Sequence, residues 1–154
     1  MVRAKDVAAL IGFVALCELA GGAGALFTDA RWYVALDRPS WAPPGWVFGP
    51  VWLTLYAMMG VAAWLVWRSR SADRRAALTW FAVQLALNAA WTPVFFGARS
   101  LLGGLSVIVA LLFAIVATVI AYRRVSRPAT LLMLPYLAWV AFATALNAAL
   151  WLRS

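Results

Sequence analysis

Apolar residues run along this chain in long blocks, separated by short polar breaks. A block of about 20 apolar residues is long enough for a helix to cross the hydrocarbon layer of a bilayer. Five blocks reach that length, at about 6–27, 45–67, 76–96, 102–122 and 129–152. The polar residues inside them recur at helical spacing: Gln84, Asn88 and Trp91 stand at i, i+4 and i+7. The pattern predicts an all-α integral membrane protein, a five-transmembrane-helix bundle that forms one domain over 1–154. The long break, 28–44, reads TDARWYVALDRPSWAPP and carries Asp29, Asp37 and three prolines.

Composition agrees. The chain is 66% hydrophobic and 12% charged, more apolar side chain than a soluble domain of 154 residues can hide. A formal charge of +8 in a soluble protein would point to nucleic acid. Here the basic residues sit in the breaks, where they set topology, and no basic helix or aromatic-basic sheet motif is present, so no nucleic-acid partner is expected. Alternate breaks share a side. One side holds Arg3, Lys5, Arg68, Arg70, Arg74, Arg75, Arg123, Arg124 and Arg127; the other holds Arg31, Arg38, Arg99 and Arg153. The positive-inside rule then puts the N-terminus in the cytoplasm and the C-terminus outside, with the long break extracytoplasmic. Usage rich in Arg and poor in Lys favours the inner (cytoplasmic) membrane of a bacterium. Arg3 and Lys5 ahead of an apolar run also resemble a signal peptide, but the run is long for one and Glu18 interrupts it.

The chain has no His, so no imidazole serves a metal, a haem iron or a general base. No metal site and no conventional catalytic constellation are expected. Cys17 is the only cysteine and has no internal disulfide partner.

Polar groups within spans are costly and need a partner or a use. Besides Gln84, Asn88 and Trp91, Trp52, Tyr56 and Met59 share a helical face, as do Trp139, Ala143 and Asn147 with Tyr136 just before them. At ~1.5 Å rise per residue, Trp52 lies about 10 Å and Asn88 about 12 Å below the outer surface. Two readings stand side by side. The amides bond neighbouring helices, as is common in membrane bundles. Alternatively, the shared depth of the aromatics makes a wall for a planar, mostly apolar ligand. Glu18 is expected to bond an amide across the bundle or to meet a ligand. Ala20 and Gly24 permit close helix approach, within the bundle or in a homodimer. Pro50, Pro93 and Pro135 each free a carbonyl one turn back. Trp64, Trp67, Trp80 and Trp151 are expected to anchor at the interfaces.

Several of these stretches together resemble the tryptophan-rich sensory protein / translocator protein (TspO/MBR) family. They are Arg31-Trp32-Tyr33 with Leu36, RPSWAPPGWVFGPVWLTLY at 38–56, QLALNAAWTPVFFGAR at 84–99, and PYLAW with ALN at 135–147. The likeness covers essentially the whole chain. It implies a five-helix bundle, usually a homodimer, with a ligand pocket beneath the first loop. It implies a membrane protein that binds porphyrin or haem and acts as a sensor or regulator of tetrapyrrole and stress metabolism. Light-dependent porphyrin degradation and transport of small apolar ligands are the alternatives. Ligand-binding residues carried over by motif are Trp41, Trp52, Tyr56, Asn88, Trp91, Trp139, Ala143 and Asn147, with Trp32 in the covering loop. If the chemistry is photochemical, Trp52 and Trp139 would carry it. No resident cofactor is required. After Leu146-Asn147 no tyrosine completes the proposed sterol pattern of some relatives, which lowers the expected affinity for sterol.

Overall fold

The computed structural model describes residues 3–154. The described residues contain five long helices and a short one: α1 (Ala4–Ala25), α2 (Ala30–Ala35), α3 (Phe48–Arg68), α4 (Arg74–Thr92), α5 (Leu101–Arg123) and α6 (Arg127–Leu152). Each long helix falls within a few residues of its apolar block. The starts follow local chemistry: the Ser100 and Ser126 side chains accept from the backbone N–H groups of Gly103 and Ala129, and Pro128 lies in the first turn of α6. Helix α4 ends at Thr92, where Pro93 starts a π turn, Pro93–Gly97, closed by the Ala98 N–H on the Pro93 carbonyl at 2.9 Å. Pro135, by contrast, sits inside α6 without ending it.

The long helices form a closed ring. Helix α1 packs on α3 and α4, α3 on α6, α6 on α5, and α5 on α4. The core they enclose includes Cys17, Met59, Ile115, Met133, Tyr136 and Val140. Large apolar side chains also point outward, among them Leu19 at 72% and Phe113 at 73% exposed. Such a surface suits lipid, not water. Four helical segments are long and apolar enough to cross a bilayer: Ala4–Ala25, Gly45–Arg68, Leu101–Arg123 and Arg127–Leu152. The chain is a multi-pass membrane protein. Helix α4 carries Arg74, Arg75, Gln84 and Asn88 and is less apolar than the other four.

Three features go beyond the sequence reading. The long loop contains α2, capped by the Asp29 carboxylate on the Trp32 N–H at 3.0 Å. Glu18 makes no hydrogen bond or ion pair among the described residues; it sits half-buried on α1, so the expected bond across the bundle is not formed. Trp64 is more than an interface anchor: its Nε1–H donates to the Asp6 carbonyl at 2.8 Å, tying the first turn of α1 to α3.

Three glycines of α1 and α3 make close approaches inside the bundle. Gly21 lies against the Tyr56 ring, and Gly24 lies against Thr92. Gly60 faces the backbone of Val14. Gly12 and Gly22 face open space on the outer side.

Candidate functional site

Near the middle of the bundle the polar residues of three spans meet one another. The Tyr56 hydroxyl donates to Asn88 Oδ1 at 2.6 Å, and Asn88 Nδ2 donates to the Tyr136 hydroxyl at 2.8 Å. Tyr136 passes its own proton to Gln84 Oε1 at 2.8 Å, and Gln84 Nε2 reaches Met59 Sδ at 3.3 Å. Gln84 and Tyr136 are fully buried, and Asn88 is nearly so. A second, smaller link lies nearer the loops. Trp91 Nε1–H donates to Asn147 Oδ1 at 3.3 Å, and Asn147 Nδ2 donates to the Leu101 carbonyl at 2.9 Å. Without water in the hydrocarbon layer these groups need each other, and the structure pairs them.

Toward the covering loop lie two sets of ring contacts. Trp52 stacks on Tyr56, with centroids 5.3 Å apart and planes at 27°, and meets Tyr136 edge-on. Trp139 touches Phe48 at 5.8 Å and Phe142 at 5.4 Å, and Trp41 packs its edge on Phe142 at 5.7 Å. Across the ring of helices Trp91 stacks on Phe95 at 4.6 Å, and Trp32 meets Phe95 at 5.3 Å and Phe96 at 5.9 Å. Tyr33 links Phe48 to Phe96. Here the Nε1–H of Trp139 is buried and has no hydrogen-bond partner among the described residues, and neither has the Tyr33 hydroxyl. Arg38 lies over the Tyr33 ring, 5.3 Å from its centroid.

The structure therefore sorts the sequence candidates. Trp52 forms one ring group with Tyr56 and Tyr136, whereas Trp139 and Trp41 connect through Phe48, Phe142 and Tyr33 to Phe96 and so to Trp91 and Trp32. Tyr56, Asn88 and Asn147 are bound up in hydrogen bonds within the protein. Ala143 is half-buried beside the core. Phe48, Phe95, Phe96 and Phe142 were missed. The helical spacing offered a signal for one of them, since Phe142 follows Trp139 by three positions and shares its face. Two surface grooves, of ≈ 290 Å³ and ≈ 410 Å³, lie at the opposite, arginine-rich end and touch none of these residues.

The covering loop is held by two ion pairs, Arg99 to Asp29 at 2.9 Å and Arg153 to Asp37 at 3.5 Å. Arg99 has φ 48, a left-handed conformation uncommon outside glycine. The Trp32 N–H, and after it Arg99, hold the Asp29 carboxyl below its ordinary value of 3.8. A depressed carboxyl contributes stability that is complete above its unfolded pKa and is lost as pH falls through the folded one. Loop tryptophan fluorescence should thus stay constant from neutral pH down to the ordinary aspartate range and change only below it. Asp29→Asn keeps a capping oxygen and loses the ion pair, whereas Asp29→Ala loses both. Tryptic cleavage at Arg31 should accelerate in the order wild type, Asp29→Asn, Asp29→Ala. Equal rates for all three would show that the clamp does not hold the loop.

The sequence profile of the TspO/MBR family matches residues 13–152. The chain is 45% identical over 150 residues to the tryptophan-rich protein TspO of Chlorobaculum tepidum, covering 93% of this chain and 94% of that one. It is 42% identical over 149 residues to the translocator protein of Bos taurus, covering 92% and 87% of the two chains. Against the tryptophan-rich sensory protein of Cereibacter sphaeroides it is 38% identical over 142 residues, covering 92% and 89%.

Proposed function

The chain belongs to the TspO/MBR family, and on that premise we propose that it is a membrane tetrapyrrole-binding protein, a sensor or regulator that takes up porphyrin or haem beneath its first loop. In this reading α4 is the fifth span: it packs between α1 and α5, and its Gln84 and Asn88 meet Met59 and Tyr56 of α3 and Tyr136 of α6. The arginine-rich end lies in the cytoplasm of a bacterial cell, the C-terminus lies outside, and two copies form a homodimer. A planar macrocycle gains most from flat apolar walls, and stacked rings contribute beyond their area.

One observation carries the reading: Phe48 of α3 and Phe142 of α6 pack on Trp139, whose buried indole N–H has no partner among the described residues. An unmet buried donor costs about 1–3 kcal/mol. A ligand acceptor placed there recovers that cost. With no His in the chain, haem would be held by its ring and propionates, not by imidazole ligation of iron. Arg31 and Arg38, both in the covering loop, offer guanidinium groups to the propionates.

Protoporphyrin titrated into the protein in detergent should quench tryptophan fluorescence saturably. Trp139→Ala and Trp52→Ala should each weaken binding about tenfold, equivalent to the ~1.4 kcal/mol expected for loss of a stacking ring. Trp80→Ala, at the far end, should bind as wild type does. If both pocket variants keep wild-type affinity, the proposed site is wrong.

The Trp52–Tyr56 stack favours a second reading, light-dependent porphyrin degradation, in which the excited porphyrin takes one electron from this pair, leaving a radical on the pair and a reduced macrocycle, and dissolved dioxygen is the oxidant consumed as the macrocycle opens. Under illumination the parent should bleach bound porphyrin faster than Trp52→Phe does. Equal bleaching at equal occupancy would exclude it.

A further inference from the structure

The last residue of α5 and the first of α6 are both arginines, Arg123 and Arg127. They are exposed, and with Thr130 and Leu131 they line one groove of ≈ 410 Å³. Among the described residues neither has a carboxylate partner, since the two ion pairs, Arg99–Asp29 and Arg153–Asp37, lie at the other end. From the groove an apolar surface continues along the bundle. On α6, Leu131 is 55% and Leu134 42% exposed. The neighbouring groove between α4 and α5 is a built-in contrast. It is lined by Arg124 but also by Asp73, so its charges offset.

We propose that the α5–α6 groove is a binding site for one anionic phospholipid, its phosphate between Arg123 and Arg127 and its acyl chains along Leu131 and Leu134. Charge and continuity both select this occupant. Two guanidinium groups bind phosphate oxygens through paired N–H donors. Basic pockets between spans on the arginine-rich side recognise lipid headgroups. A free phosphate would meet the arginines but leave the apolar surface unused. A zwitterionic lipid would bring a cation to a groove that already holds two. In the α4–α5 groove Asp73 removes that selection. The proposal does not depend on what the aromatic layer binds.

The test is native mass spectrometry of the full chain released from detergent, with phosphatidylglycerol and phosphatidylcholine of identical acyl chains. The wild type should retain phosphatidylglycerol about tenfold more strongly, in line with a substantial contribution from each arginine. Arg123→Gln with Arg127→Gln should bring that preference below about twofold, whereas Arg68→Gln with Arg70→Gln, at the same end, should leave it intact. No preference in the wild type overturns the proposal. So does equal loss in the Arg68/Arg70 pair, which would mark a diffuse field, and so does full displacement by millimolar inorganic phosphate, which would mark a phosphate site without lipid. If the double variant does not fold, Arg127→Gln alone decides, and an unchanged preference there also overturns the proposal.

Discussion

Adding one methyl group at Gly60 is expected to disrupt the bundle, because it meets the backbone of the neighbouring helix. A Cβ built there would stand 2.5 Å from the Val14 Cα and 2.8 Å from its backbone nitrogen. Carbon atoms prefer about 3.5–4.0 Å. Backbone cannot rotate away as a side chain can, so α1 must move off α3 by about 1 Å. That movement loosens Gly21 from the Tyr56 ring and Gly24 from Thr92, because all three close approaches lie along α1. Overpacking of a well-fitted interior costs about 1–3 kcal/mol and sometimes more; this site should reach or exceed the top of that range. Gly12→Ala and Gly22→Ala are the matched controls. Each meets nothing within 4 Å, so a methyl group there should be neutral, or stabilise the helix by up to about 1 kcal/mol. Unfolding in mixed micelles would measure all three. A Gly60→Ala protein as stable as Gly12→Ala would mean that the α1–α3 contact yields easily.

The second large effect is expected at Asn88. Its carboxamide accepts from Tyr56 and donates to Tyr136, so it joins α3 to α6 through α4. Asn88→Leu leaves the buried Tyr56 hydroxyl with no acceptor and removes a donor from Tyr136. Each unmet buried group costs about 1–3 kcal/mol, and the total should be about 3 kcal/mol. Tyr56→Phe alone removes one bond and strands only the Asn88 oxygen. Interhelical hydrogen bonds in membranes average about 0.6 kcal/mol by double-mutant cycle, and this one, at 2.6 Å and buried, should exceed that average. The cycle is the decisive measurement. With Tyr56→Phe already present, Asn88→Leu should cost less, because removing both partners leaves fewer orphans. Strict additivity would mean that the two side chains do not interact. Porphyrin affinity should fall less in Asn88→Leu than in Trp139→Ala, since the amide is satisfied within the protein and the indole is not.

Much of this was legible without coordinates. Blocks of apolar sequence near the hydrophobic thickness of a bilayer can satisfy their backbone only as helices, so length and hydropathy located the long helices to within a few residues. The caps at Ser100 and Ser126, which start two helices, are local interactions that the sequence reading did not use. The uneven split of arginines and the Trp-rich stretch at 41–52 are local too. Helix α2 was overlooked although Asp29 stands in front of it, because six residues give too short a periodic signal beside three prolines.

Tertiary structure decided which polar residues are free. Sequence spacing put Asn88, Asn147 and Trp139 at similar depth and could not distinguish glue from ligand contact. The answer depends on what the neighbouring helices place opposite each group. Asn88 found Tyr56 and Tyr136, Asn147 found Trp91 and a carbonyl, and Trp139 found only rings. Likewise Glu18 reads from sequence as a group that must have a partner, and the packing of α1 gives it none among the described residues. Helix formation is fixed by neighbours in the chain and by the solvent. Hydrogen-bond satisfaction in a bundle is fixed by residues tens of positions away, whose approach depends on contacts as specific as Gly60 on Val14.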